Sequence, residues 1–154
     1  MTVPHVRPAR PFDAGGVAAL LRAHGASAPG GDLAADLRAW MAEPPALWLV
    51  AESAGEIVGL QWIAPPDEAP RDLWRIATFV AEPGIRTRGP SRIATGAALW
   101  QATERAARGR RLAGLLAQVP EGNAGAIAYY RSRGFEPVPA PPGTAHLVHV
   151  LRRR

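Results

Sequence analysis

Residues 82–96 combine arginines, glycines and small residues directly before a predicted helix. A strand that ends in such a loop and opens into a helix directs free backbone N–H groups and the positive end of the helix dipole at an anion. Arg86, Arg88 and Arg92 can add charge-assisted hydrogen bonds to phosphate, because the guanidinium pairs with two oxygens and keeps its charge. The pattern predicts a phosphate site, and the alternative is a surface loop made basic by coding bias.

Other reactive side chains restrict the chemistry. Cysteine is absent, which excludes disulfides, thiolate metal sites and a cysteine nucleophile, and we predict no metal site. The carboxylates near the predicted central strand are Asp67, Glu68, Asp72 and Glu82. We interpret each of them as a solvated surface charge, so the sequence identifies no general base. His146 and His149, on the last predicted strand, are interpreted as structural.

The elements that must position these residues follow the order β-α-α-β-β-β-α-β-α-β-β. Asp13 and Asp32 are predicted caps of the first two helices. Residues 47–52 and 56–62 form a hairpin around Ala54-Gly55. Residues 73–80 read as a buried strand, and Asn123 to Arg133 as a helix that ends at Gly134. This order predicts a mixed sheet with helices on both faces.

Length and composition favour one soluble domain over residues 1–154. The 18 cationic side chains are all arginine, and the net charge is +5. Together with much alanine, glycine and proline, this indicates a GC-rich, bacterial genome and a solvated arginine surface. No apolar run reaches the length of a membrane span and no signal core is visible. We therefore expect a cytoplasmic protein that binds neither membrane nor nucleic acid.

Three stretches together resemble the GNAT (GCN5-related) N-acetyltransferase family. They are Ile76-Ala77-Thr78-Phe79-Val80, the segment from Arg86 to Arg108, and the run from Asn123 to Phe135. The last is the most specific, since it is similar to the family's Asn-x-x-Ala-x-x-(aromatic)-Tyr-x-x-x-Gly-Phe segment. The resemblance implies the acyl-CoA N-acyltransferase fold, a mostly antiparallel mixed sheet of about seven strands with four helices.

The resemblance also implies an enzyme that transfers an acetyl group from acetyl-CoA to an amine. Tyr130 takes the position of the family's general acid, which protonates the departing thiolate; a phenol with a pKa of ~10 suits a thiol of ~8.5. Asn123 would bind the pantetheine arm or cap its helix, and Tyr129 would pack in the core or groove. The implied cofactor-binding residues are Phe79, Val80, Arg86, Arg88, Arg92, Ala94, Thr95, Gly96, Ala97, Asn123, Ala126 and Tyr130.

The family's phosphate motif, Arg/Gln-x-x-Gly-x-Gly/Ala, can be placed in two registers. Arg86-Thr87-Arg88-Gly89-Pro90-Ser91 keeps the first arginine and the first glycine but lengthens the helix. Ser91-Arg92-Ile93-Ala94-Thr95-Gly96 gives the following strand and helix their usual lengths. We favour the second register, which starts the helix at Gly96.

The acceptor is expected to be a small-molecule amine, such as an amino acid or a drug-like compound. A pocket lined by the first two helices and the hairpin loops would hold it, with Trp40, Trp62, Trp74 and Gln61 in or near it. Three alternatives stay open: peptide or protein N-acetylation, a non-catalytic acyl-CoA-binding protein, and a nucleic-acid-binding domain, ranked last. By the same resemblance we expect a homodimer.

Overall fold

The computed structural model describes residues 4–23, 32–43, 46–66, 72–81 and 90–151, and for 78–81 and 90–94 the backbone alone. Within these residues the elements follow the predicted order: β1 (His5–Pro8), α1 (Ala14–Ala23), α2 (Leu33–Met41), β2 (Leu47–Ser53), β3 (Glu56–Ala64), β4 (Leu73–Ala81), α3 (Pro90–Gly109), β5 (Gly114–Pro120), α4 (Ala124–Ser132), β6 (Glu136–Val138) and β7 (Thr144–Val150).

The seven strands form an open, mostly antiparallel sheet of order β1-β2-β3-β4-β5-β7-β6. With its four helices, this confirms the predicted fold class. Contacts divide the chain into two compact units, Met1–Trp62 with Ala77–Thr103 and Ile63–Ile76 with Glu104–Arg154. A single domain over residues 1–154 stays a prediction.

In the first unit, α1 and α2 pack on β2 and β3. Strand β1 pairs antiparallel with β2, with His5 opposite Glu52 and Pro8 opposite Leu49. The buried core includes Val17, Leu20, Leu33, Leu37, Trp48, Val50 and Leu60. The hairpin turn falls on Ala54 and Gly55, as predicted, and both have positive φ, 52° and 79°. Such φ values match the tight turns whose twist suits a two-stranded hairpin.

The prediction that Asp13 caps the first helix is wrong, because its carboxylate accepts hydrogen bonds from residues that precede it and not from amides of α1. Asp13 ends a short 3-10 turn, Pro11–Asp13, ahead of α1. Its carboxylate accepts hydrogen bonds from the Arg10 backbone and the Arg7 guanidinium. A charged donor binds a carboxylate more strongly than a neutral amide does, so Asp13 ties α1 to β1. Asp32, by contrast, caps α2 as predicted, accepting from the Ala35 amide at 2.9 Å.

The helix start predicted at Gly96 is also wrong. Helix α3 begins at Pro90 and runs for 20 residues. Proline suits the first helical position because its φ is already helical and its missing N–H would have no partner there. Ala94, Thr95, Gly96 and Ala97 therefore lie beyond the first turn, where amide groups bond along the helix.

In the second unit, β5 lies between β4 and β7 and pairs with them in different directions. It pairs in parallel with β4 over Leu73–Arg75 and Gly114–Leu116. With β7 it pairs antiparallel along its whole length, from Gly114 opposite Val150 to Pro120 opposite Thr144. Beyond Leu116, the pairing described for β5 is with β7. Strand β6 adds to the far side of β7, with Val138 opposite His146.

Helix α4 has well-defined ends. The Asn123 side chain accepts from the Ala126 amide at 3.0 Å, as predicted for an N-cap. At the other end Gly134 has a φ of 95°, and the amides of Gly134 and Phe135 donate to Arg131 and Tyr130. These two hydrogen bonds, together with a glycine in the left-handed conformation, form the Schellman motif. The predicted C′ role of Gly134 is therefore confirmed. None of the described helices is long and apolar enough to cross a membrane.

Candidate active site

Tyr130 lies on the buried side of α4. The residue is 9% exposed. Its ring makes edge-to-face contacts with the rings of Phe135 and Tyr129, at centroid distances of 5.1 Å and 5.4 Å. Burial raises the pKa of the Tyr130 phenol to about 12, and the neighbouring Tyr129 adds to the shift. The phenol therefore stays protonated throughout the neutral pH range and can donate a hydrogen bond or a proton.

The residues predicted at the start of the same helix lie one to two turns before Tyr130. Asn123 caps α4 and the Ala126 amide is its hydrogen-bond donor. A cap satisfies an amide that the helix leaves unpaired. The helix thus brings together Asn123, Ala126 and Tyr130, three of the predicted site residues.

His149 is held on both ring nitrogens. Its Nε2 lies 3.0 Å from Glu104 Oε2 and its Nδ1 lies 3.4 Å from the carbonyl oxygen of Gly134. The hydrogen bond to His149, with help from Arg108, lowers the pKa of the Glu104 carboxyl although burial opposes this. These contacts connect the last turns of α3 to the end of α4, which agrees with a structural role for His149.

His146 has a different environment. It is half-buried on β7, directly opposite Gln118 of β5, and its Nε2 lies 3.5 Å from Gln118 Nε2. The neighbouring pair, Ala117 and Leu147, is 1% exposed on both sides. Because side chains alternate along strands, Gln118 and His146 share the opposite face from Ala117 and Leu147.

The predicted phosphate-binding residues belong to the first unit. Arg92 and Ala94 lie in the first five residues of α3, followed by Thr95, Gly96 and Ala97. Thr95 is fully buried. Helix α3 begins at Pro90, so Ser91 and Arg92 belong to its first turn. The amide N–H groups of a first turn have no acceptor within the helix. Phe79 and Val80 lie on β4, and Arg86 and Arg88 lie outside the described residues.

A cleft beside α1 contains charged groups that the sequence did not single out. It has a volume of about 510 Å³ and carries Arg7, Asp13, Glu52 and Glu56 next to the small residues of α1. The Arg7 guanidinium holds both Asp13 oxygens at 2.8 Å and lies 3.5 Å from Glu52. With three carboxylates and one guanidinium, the cleft has a net negative charge and suits a cation. No motif signals this cluster, because Arg7 and Glu52 meet through strand pairing.

Two of the three tryptophans expected near the acceptor, Trp40 and Trp62, form a stack with Trp48 in the first unit. Trp62 lies between Trp48, at 4.1 Å, and Trp40, at 6.0 Å, with rings 16° from parallel in both pairs. Trp48 is buried and Trp40 is 41% exposed. Trp74, in the second unit, is buried under the Arg110 guanidinium. Gln61 is buried as well. Packing thus accounts for Trp48, Trp62 and Trp74.

Among the residues that the structure describes, no group of three or more histidine, aspartate or glutamate side chains could hold a metal ion. The first-turn amides at the start of α3 fit an anionic ligand. The buried phenol of Tyr130 fits a role as proton donor.

Comparison with known proteins identifies relatives of this arrangement. Residues 18–135 match the model of the Acetyltransferase (GNAT) family. A ribosomal-protein-alanine N-acetyltransferase from Brucella melitensis is 25% identical, with a TM-score of 0.74 over 96% of this chain and 99% of that one. An aminoglycoside 6'-acetyltransferase type Ii is 16% identical, with a TM-score of 0.78 over 97% and 99%.

A third solved structure contains the coenzyme. The PaiA N-acetyltransferase from Thermoplasma acidophilum in complex with coenzyme A is 12% identical, with a TM-score of 0.69 over 97% of this chain and 99% of that one. No curated protein matches the sequence significantly.

Proposed function

The chain belongs to the GNAT acetyltransferase family, with acetyl-CoA as its co-substrate, and on that premise we propose that it acetylates a primary amine of a small molecule. An amino acid or a drug-like amine is the expected acceptor. The observation that carries the proposal is the buried phenol of Tyr130, at the family's acid position in α4.

We assign Tyr130 the role of general acid. Its phenol, kept protonated by burial, donates a proton to the sulfur as the C–S bond breaks. A positioned acid of this kind contributes ~10²–10⁴ in rate. Phe135 and Tyr129 pack against the ring on two sides, which restrains the position of the phenol oxygen.

For the pyrophosphate we propose the earlier register, Arg86 to Ser91, because α3 begins at Pro90. The first-turn amides of Ser91 and Arg92 would point at the anion, with Arg86, Arg88 and Arg92 around it. Ala94, Thr95, Gly96 and Ala97 would support the helix without touching phosphate. Backbone groups of Phe79 and Val80, and Asn123 with Ala126, would contact the pantetheine arm, as the family resemblance implies.

The cleft beside α1 supports a small-molecule acceptor. Its volume of about 510 Å³ lies in the range of small-ligand sites, and its carboxylates favour a positively charged amine. It is lined by α1 and the hairpin turn, elements that the sequence assigns to the acceptor pocket. A peptide amine is the second candidate, favoured by the Brucella melitensis neighbour at 25% identity.

The test is a panel of amines with acetyl-CoA and a thiol-release readout. The panel contains free amino acids, aminoglycosides and short peptides that begin with alanine. We expect the highest kcat/KM with a small amine. Higher kcat/KM with the peptides would favour the second candidate, and no thiol release with any amine would overturn the proposal.

Coenzyme binding is tested separately. Arg86→Ala and Arg88→Ala should each weaken acetyl-CoA binding by ~10-fold or more, since a charge-assisted hydrogen bond contributes ~1.5–3 kcal/mol. Arg105→Ala, an exposed arginine on the outer side of α3, is the matched control. Equal affinity in all three variants would remove the phosphate assignment.

A further inference from the structure

The charge of the cleft beside α1 limits which amine can react there. An amine attacks a carbonyl carbon only in its neutral form, and an alkylamine with a pKa of about 10.4 is an ammonium near neutral pH. Carboxylates nearby favour the charged form further. Each unit by which they raise the pKa of a bound amine lowers its neutral fraction about tenfold. A cleft lined by carboxylates therefore suits an ammonium that stays charged and does not react.

The three carboxylates of this cleft have different environments. Arg7 binds both oxygens of the buried Asp13 at 2.8 Å, so these two charges compensate each other. Glu52 lies 3.5 Å from the same guanidinium, at the outer limit of a hydrogen bond, and its side chain is 35% exposed. Glu56 is exposed at the start of β3, on the other side of the hairpin turn. Among the described residues that line the cleft, the excess negative charge is therefore that of Glu52 and Glu56.

The arrangement of these carboxylates and the size of the cleft indicate an organic cation. Within the part of the chain that the structure describes, no group of three or more acidic or histidine side chains could hold a metal ion. The volume of about 510 Å³ lies in the range of sites for small organic ligands. The cation that suits this cleft is therefore an ammonium with a carbon chain.

The apolar residues of the same cleft fit such a ligand. Gly16, Ala19 and Ala23 line it from α1 with small side chains. Phe12 lines it as well and is 73% exposed. Its ring already contacts one cation, since the Arg7 Cζ lies 5.8 Å from the ring centroid, and aromatic rings attract ammonium groups in the same way. Carboxylates beside an exposed ring are thus a combination that recognises an alkylammonium.

We propose, resting on the proposed function, that the acetyl acceptor has a second, cationic nitrogen, which the cleft holds beside Glu52 and Glu56 while another nitrogen of the same molecule is acetylated. The acceptor is then a diamine or a compound with several amino groups. The held nitrogen stays protonated and anchors the molecule, and the reacting nitrogen is the one that these carboxylates do not hold. A free amino acid fits less well, because the same carboxylates repel its carboxylate group.

The test uses four primary amines that share a five-carbon chain and differ in the group at its far end: methyl, ammonium, trimethylammonium or carboxylate. Thiol release from acetyl-CoA gives kcat/KM for each amine. We expect the two amines with a cationic end to exceed the methyl amine by about tenfold or more, as for a partly desolvated charge pair. The trimethylammonium group cannot be acetylated, so its effect isolates the anchoring charge. The amine with a carboxylate end should be the poorest substrate of the four.

Variants of the cleft assign this effect to its carboxylates. The measured quantity is the ratio of kcat/KM between the trimethylammonium amine and the methyl amine. Glu52→Gln and Glu56→Gln should each lower this ratio about threefold or more, and the double variant should bring it close to one. Glu43→Gln, an exposed carboxylate that follows α2, is the matched control and should keep the wild-type ratio. Circular dichroism and the Kd for acetyl-CoA should show that every variant is folded.

A wild-type ratio near one would overturn the inference, and so would a high ratio that survives the double variant, because the cation would then be held elsewhere. If the wild type acetylates none of the four chain amines, the best acceptor of the wider amine panel decides, and a single cationic nitrogen in it would overturn the inference. A wild type that acetylates no amine at all would instead overturn the proposed function, so the two failures are distinguishable.

Discussion

Arg7 and Asp13 form a two-point ion pair in which two guanidinium nitrogens each lie 2.8 Å from a different carboxylate oxygen. Asp13 is 5% exposed, and the Arg10 amide donates a third hydrogen bond to it at 2.8 Å. The pair joins β1 to the turn before α1. We therefore expect this ion pair to contribute to the stability of the first unit.

Replacing Asp13 by asparagine should destabilise the protein by about 2–3 kcal/mol, because the Arg7 charge loses its partner in a mostly buried place. The hydrogen bonds from Arg7 hold the pKa of the Asp13 carboxyl below its ordinary value. The stabilisation is then complete above pH ~4 and is lost as the pH falls through the lowered pKa. Urea unfolding at pH 7 and pH 3 measures both effects. Glu52→Gln, at 3.5 Å from Arg7, is the control and should cost under about 1 kcal/mol.

Tyr130→Phe should lower kcat ~10²–10⁴-fold and leave the Kd for acetyl-CoA within about threefold. The ring is retained, so the packing on Phe135 is kept while the proton donor is removed. Stopped-flow thiol release and calorimetry measure the two quantities. Tyr129→Phe serves as the control with near-normal kcat. Unchanged kcat in Tyr130→Phe would remove the acid role.

The same tyrosine should make the protein sensitive to alkali. Burial raises the pKa of Tyr130 to about 12 in the folded protein, against ~10 in the unfolded chain. Between these values the folded state binds more protons, so the free energy of unfolding falls as the pH rises from ~10 to ~12. Tyr130→Phe should show a flatter decline. Parallel declines in denaturant titrations at pH 9.5 and pH 11 would contradict this.

Asn123→Ala should cost about 1 kcal/mol, because the Ala126 amide loses its acceptor at 3.0 Å. Asn123→Asp keeps the cap and adds a favourable charge at the helix start. If Asn123 also binds the pantetheine arm, the alanine variant should lose acetyl-CoA affinity beyond its loss of stability. Asp32→Ala, which removes the corresponding cap of α2, should lower stability by a similar amount and leave the Kd unchanged.

Gly134→Ala should destabilise the protein by about 1–3 kcal/mol. A φ of 95° disfavours any side chain, and an added Cβ would lie 3.2 Å from His149 Nδ1. Gly125, in the first turn of the same helix, offers the matched control, since its Cβ would meet nothing nearer than 3.9 Å. Gly125→Ala should stabilise by about 0.5–1 kcal/mol. Thermal unfolding of both variants gives the comparison, and equal shifts would refute the strain argument.

Local signals explain which features the sequence revealed. Asp32, Asn123 and Gly134 act on amides or carbonyls within five residues, so their roles are visible in the order of residues. The order of strands and helices follows from patterns of similar range, and the resemblance of the Asn123–Phe135 segment supplied the family. Arg7, Glu52 and Asp13 meet through strand pairing, which no local pattern records.

The start of α3 shows how two sequence signals can compete. The usual spacing to Asn123 favoured Gly96, whereas Pro90 is suited to a first helical position. The structure follows the proline and begins α3 at Pro90. Gln118 and His146 were also hidden, since their contact depends on the register between residues 28 apart.

The stacked indoles of Trp40, Trp48 and Trp62 have a spectroscopic consequence. Four of the five tryptophans, with Trp100 as the fourth, belong to the first unit, and Trp74 alone belongs to the second. Rings that are nearly parallel at 4.1 Å couple their electronic transitions and give a circular-dichroism couplet that vanishes when they separate. Emission and the couplet therefore monitor the melting of the first unit, while tyrosine absorbance from Tyr129 and Tyr130 follows the second.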